Sequence, residues 1–145
     1  MGCRVETCQG RSLMKVYLAG PIRNVADPIS WRRKLATKMP EGWEVIDPTK
    51  IELFIDDEDS EEAVERLVKG DLDAIKSCDA VLALIDMPSW GTAMEIFYAH
   101  SLMIPIVAWN PTEKSVGPWL KFHCTTIVPR FEDIKLFLQN LLVKA

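Results

Sequence analysis

Six uninterrupted apolar residues, Ala80-Val81-Leu82-Ala83-Leu84-Ile85, sit between Asp79 and Asp86. A strand with one wet face alternates apolar and polar side chains. An unbroken run instead predicts a strand covered on both faces, as in a parallel sheet with helices above and below. Further apolar runs recur at Lys15–Ala19, Trp43–Ile46, Ile104–Trp109 and about 124–128. Helical spacing fills the intervals, over about 29–39, 60–77, 92–102, 117–122 and 131–143. Strands alternating with helices predict a doubly wound α/β fold.

The expected architecture is a single-domain, flavodoxin-like parallel sheet of five strands in the order 2-1-3-4-5. Ligands in such sheets bind outside the carboxyl ends of the strands, where the winding reverses, here strands one and three. In the helix over 60–77, Ala63, Val64, Leu67, Val68, Leu72 and Ile75 keep the spacing of one buried face. The acids from Asp56 to Glu62 read as its solvated start, complementing the helix dipole. The last helix is expected to bury Phe131, Ile134, Leu138, Leu141 and Leu142.

With 145 residues, the chain is long enough for one well-buried core. Residues 1–13 read as a disordered leader and 14–145 as the domain. The net charge is −4, and Lys and Arg are scattered apart from Arg32-Arg33-Lys34, so no nucleic-acid footprint is expected. No apolar stretch is long enough to span a membrane, and Met1–Leu13 lacks the apolar centre of a signal peptide. A cytoplasmic protein is expected. The cysteines, Cys3, Cys8, Cys78 and Cys124, match no zinc spacing, and His100 and His123 lie far apart in sequence. Cys78 and Cys124, at the edges of apolar runs, read as buried thiols. No metal site is expected.

Chemistry concentrates where strands one and three end. The first supplies Gly20-Pro21-Ile22-Arg23-Asn24 and the second Ser89-Trp90-Gly91-Thr92-Ala93-Met94-Glu95. Glu95 has two readings. It lies near a helix start, where the dipole favours a reactive anion. Thr92 and Glu95 also fit a capping box, with Thr92 as N-cap. Tyr17 reads as a core aromatic or a site residue. Arg23, just past a strand end, reads as a surface arginine or a phosphate or carboxylate ligand. Asp71, in mid-helix, is out of place by propensity, with Asp73 as its solvated neighbour. Asp79 is expected to bond to nearby backbone. Ser89 and Gly91 form a polar turn, and Asp47-Pro48 stops the second strand. No GxxxxGK[ST], GxGxxG or GxSxG motif is present, and Gly20-Pro21 stands where response regulators carry acids.

Three blocks, Lys15–Pro21, Asp71–Val81 and Gly91–Glu95, resemble the nucleoside 2-deoxyribosyltransferase family, which includes 2′-deoxynucleoside 5′-monophosphate N-glycosidases. The similarity covers roughly residues 14–110. It implies a retaining double displacement without cofactor or metal, in which Glu95 is the nucleophile on C1′ of the sugar. By the same resemblance, Asp71 assists proton transfer to the departing base or holds the substrate, and Tyr17 orients the nucleophile. Gly20, Ile22, Arg23, Asp47, Ser89 and Gly91 become candidate substrate-binding residues. Transferases acting on free nucleosides commonly carry an acid where Ser89 stands, and the monophosphate glycosidases resemble this chain there and at Ile22-Arg23. A neutral hydroxyl and an arginine suit a 5′-phosphate, whereas a carboxylate would repel it. Pro21 departs from the serine common in those glycosidases, and Trp90 is bulky. The expected partner is a small nucleoside or nucleotide. Family members also complete the pocket from a neighbouring subunit, so a homodimer or larger homo-oligomer is expected, although no matching residue stands out in 110–123. The competing expectation is a non-catalytic nucleotide-binding module on the same fold.

Overall fold

The computed structural model describes residues 14–53, 55 and 59–143. The leader at 1–13, with Cys3 and Cys8, and the acids Asp56, Asp57 and Glu58 lie outside them. Five strands form one parallel sheet: β1 (Met14–Ala19), β2 (Trp43–Ile46), β3 (Ala80–Leu84), β4 (Ile106–Trp109) and β5 (Thr126–Val128). Their order is β2-β1-β3-β4-β5, as the alternation of runs predicts. The helices are α1 (Ser30–Lys38), α2 (Thr49–Glu52), α3 (Glu61–Lys76), α4 (Trp90–Ser101), α5 (Gly117–His123) and α6 (Ile134–Val143), the last preceded by a 3-10 turn over Phe131–Asp133.

The period of two along each strand sorts side chains to the two faces of the sheet. Val16 and Leu18 of β1, with Ala80 and Leu82 of β3, pack against Leu35 of α1 and Ile134 and Leu138 of α6. Tyr17, Ala19, Val81 and Ala83 point the other way, toward Ile75 of α3 and Ile96 and Ala99 of α4. All five residues of β3 are buried, because helices cover both of its faces. Cys78 and Cys124 are free and buried, and burial pushes both thiols up to about 11. Asp79 bonds to backbone as expected: its Oδ2 accepts from the Lys15 N–H at 2.8 Å.

The structure moves several boundaries. β4 starts at Ile106 rather than Ile104, because Met103 takes a left-handed φ of 61° and the Ile104 N–H returns to the Ala99 carbonyl. The stretch after β2, outside the helical intervals read from the sequence, contains α2. Asp47 starts it by accepting from Thr49 N at 2.9 Å and Thr49 Oγ1 at 2.6 Å, and Pro48, directly before the helix, has no N–H to leave unpaired. The apolar stripe of α3 is only partly covered: Ile75 is buried, whereas Val64 and Val68 are exposed. In the last segment Ile134, Leu138 and Leu142 are buried, and Phe131 and Leu141 are half-buried.

Candidate active site

β1 carries Tyr17 into the core, and α4 leaves from the end of β3 beside it. The Tyr17 hydroxyl donates to Glu95 Oε2 at 2.5 Å. Tyr17 is fully buried and Glu95 half-buried. The tyrosine is therefore a core aromatic whose hydroxyl also reaches Glu95. Ser60 caps α3, which brings Asp71 to the same place, half-buried, while Asp73 faces solvent.

The cap of α4 is Ser89, not Thr92. Ser89 Oγ accepts from Thr92 N at 3.3 Å and from Thr92 Oγ1 at 2.9 Å. The helix starts at Trp90, so Glu95 falls in its second turn and bonds Tyr17 instead of closing a capping box. The capping reading of Glu95 is overturned. So is the expectation that the helix start keeps it anionic, since the dipole acts mainly within the first turn.

Burial dominates its charge. It pushes the Glu95 carboxyl up to about 8, against the Tyr17 hydrogen bond, with Asp71 and Glu52 adding repulsion and Arg32 opposing them. Burial, and then Glu52, push Asp71 up to about 7. Burial raises the Tyr17 hydroxyl as well, reinforced by Glu95, so it stays a donor. Three carboxyls and one phenol thus act on one another's charge in partly desolvated surroundings, an arrangement typical of proton-transfer sites.

A cavity of about 350 Å³ adjoins this group, walled by Tyr17, Ile46, Asp47, Ile55, Leu67 and Asp71 among others. That volume is in the range of small-molecule sites. Two hollows of similar size lie elsewhere, one between α1 and the start of α6, the other between α1 and α2. Neither is lined by Tyr17 or Asp71, so volume alone does not mark the site; the titratable groups do.

The remaining candidates divide. Gly20 has a packing role: a Cβ there would lie 2.8 Å from the Trp31 ring and 3.2 Å from Arg32. Gly91 is the reverse, with no atom within 4 Å of such a Cβ. Ile22 is half-buried and Arg23 exposed. Arg23 donates to the Ile55 carbonyl, and its charge acts on Glu52. Asp47 serves Thr49 and lies 3.6 Å from Arg32 Nε.

Sequence reasoning missed Glu52 and Arg32. Glu52 fell in a stretch without periodicity and carried no signal. Arg32 did: it sits three residues before Leu35, in the apolar register of α1, and these two are the buried residues of that helix.

The comparisons agree with this fold. The structure is similar to a 2-deoxyribosyltransferase from Bacillus psychrosaccharolyticus, with a TM-score of 0.71 and 22% identity over 83% of this chain and 90% of that one. It is similar to a conserved protein from Enterococcus faecalis, with a TM-score of 0.69 and 18% identity over 88% and 98% of the two chains. A CMP N-glycosidase from Clostridium botulinum, BcmB, gives a TM-score of 0.57 and 24% identity over 86% and 98%. At these identities the likeness shows the fold. No curated protein matches the chain by sequence. The family model described as nucleoside 2-deoxyribosyltransferase matches residues 16–136, nearly the whole domain, and the chain belongs to that family.

Proposed function

We propose that this protein cleaves or transfers the N-glycosidic bond of a (deoxy)nucleoside or its 5′-monophosphate through a glycosyl ester on Glu95. The observation that carries this reading is the 2.5 Å Tyr17–Glu95 hydrogen bond with Asp71 beside it. A Glu95 carboxylate oxygen attacks C1′, and the C1′–N bond breaks. Asp71, which holds its proton up to about pH 7, donates it to the departing base. Water or a second base then attacks C1′ from the opposite face and gives its proton to Asp71. The ester opens and Glu95 is restored, with retention at C1′. Tyr17 fixes which carboxylate oxygen attacks, by holding the other.

A 5′-monophosphate is the favoured substrate. Ser89 spends its acceptor capacity on Thr92 and keeps its O–H for an anion. The first N–H groups of α4 have no partners within the helix, and beside Gly91 the space is open. Arg23, exposed after the end of β1, would exchange the Ile55 carbonyl for phosphate.

Self-association is part of the same reading. On α4, Trp90, Met94 and Phe97 form one stripe that is 87%, 66% and 58% exposed, continued on α5 by Trp119 and Phe122 at 76% and 72%. Phe97 meets His123 and His100 meets Phe122, so the two helices present one aromatic face. Such a patch is the surface a second copy would cover. Sedimentation of wild type against Phe97→Glu tests this, with a shift toward monomer expected.

The activity is tested by incubating the protein with nucleosides and 5′-monophosphates, with and without an acceptor base. Base release from a monophosphate is expected. Exchange only with free nucleosides would overturn the phosphate preference. Glu95→Gln should fold normally and lose at least ~10³-fold in turnover. Normal turnover in that variant would defeat the nucleophile; no turnover by any protein would leave a nucleotide-binding module.

A further inference from the structure

Arg32 is 1% exposed. Its guanidinium donates to the carbonyls of Pro28 and Gly20, the latter at 3.0 Å, and lies 4.6 Å over the Trp31 ring. Asp47 approaches its Nε at 3.6 Å, which is too long for a hydrogen bond, and among the described residues Nε has no hydrogen-bond partner. A buried ion pair of this kind costs about as much in lost hydration as it returns, and an apolar side chain of similar volume often packs there without loss. Packing alone therefore does not call for an arginine.

The cation sits at the end of β1, where it holds the carbonyl of Gly20, three residues past the Tyr17 that bonds Glu95. Its charge acts on Asp47 at the end of β2, Glu95 on α4, Tyr17 on β1 and Glu52 on α2. Asp71 on α3 joins the acidic side through Glu95, and Arg23, after β1, is a second cation that acts on Glu52. Around Glu95, burial, Asp71 and Glu52 favour the neutral acid, while Tyr17 and Arg32 favour the anion. Gly20 is the matching half of the arrangement. Its missing side chain leaves room for the guanidinium, and its carbonyl holds it.

We propose that Arg32 is a positioning residue for the reaction, a fixed buried cation that pins the β1 turn through Gly20 and keeps the Glu95 carboxylate available as a nucleophile. This rests on the reading of Glu95 given above. Arginine suits the role because it stays charged when buried. Asp47, itself held by Thr49, lies 3.6 Å from the guanidinium and orients it.

The test is a carbon-13 NMR titration of the full chain labelled at glutamate carboxyls. The Glu95 signal is identified as the one lost in Glu95→Gln. In Arg32→Gln the Glu95 titration should move up by about one unit, a tenfold loss of carboxylate at a given pH below it. Because Glu95 lies above Asp71, the basic limb of kcat/KM should move up with it and the maximum should fall. Arg32→Lys, which keeps a charge, should move it by less than half as much. An unmoved titration in folded Arg32→Gln overturns the proposal, as does an equal shift in both variants. If Arg32→Gln does not fold, Asp47→Asn decides: it leaves the Arg32 charge unopposed, so the Glu95 titration should fall, and no fall overturns the proposal. Turnover surviving Glu95→Gln defeats the nucleophile instead, and the NMR shift separates that failure from this one.

Discussion

The turns after β1 and β3 each place a glycine at the carboxyl edge of the sheet, for opposite reasons. Gly20 is crowded: Trp31, Arg32 and Leu84 all lie within 3.3 Å of where its Cβ would be. Gly91 stands in open space. The first turn is held from outside, by an arginine reaching back from α1. The second is held from within, by the Ser89 cap. Packing therefore accounts for Gly20 and leaves Gly91 to be explained by what approaches it.

The comparison breaks most sharply at Gly20. Gly20→Ala should cost about 1–3 kcal/mol, because the ring and guanidinium must both move; chemical denaturation would measure it. Ser89→Ala should cost about 1 kcal/mol through the lost cap, and raise KM for a 5′-monophosphate more than for the free nucleoside. Gly91→Ala should leave stability level or improve it by up to ~1 kcal/mol while lowering kcat/KM for the monophosphate. A loss of stability there like that of Gly20→Ala would erase the distinction between the turns. Asp73→Asn, on the solvent side of α3, should change neither stability nor rate measurably.

Tyr17 and Glu95 join the two turns, and their setting predicts the pH dependence. In the proposed mechanism Glu95 must lose its proton and Asp71 must keep its own. With Glu95 near 8 and Asp71 near 7, kcat/KM should follow a bell whose limbs belong to the pair and whose maximum lies between about 7 and 8. A profile flat from pH 6 to 9 would separate these groups from the chemistry. The same shifts have a stability sign. Both acids bind protons more tightly folded than unfolded, so their contribution is full below the unfolded carboxylate range and is lost as pH rises through about 7 to 8. Glu95→Gln should therefore raise the melting temperature at pH 9 and change it less at pH 4.

Much of this was legible in advance because it depends on local pattern. The unbroken run at Ala80–Ile85 requires cover on both faces, and alternation with helical spacing leaves few topologies other than a doubly wound sheet. The blocks around Tyr17, Asp71 and Glu95 carried the family. Which residue caps α4 was not legible, since Ser89 and Thr92 both precede a helical pattern and only the backbone path chooses between them.

The sequence by itself determined the strand order and the family and singled out Glu95 and Asp71 as candidate acids, because apolar period and residue type are local properties. Tertiary structure alone decided their charge. It brought Glu52 from an unpatterned stretch and Arg32 from the far side of Gly20 toward Glu95, and proton affinity in a partly desolvated site depends on exactly those neighbours, which lie far apart along the chain.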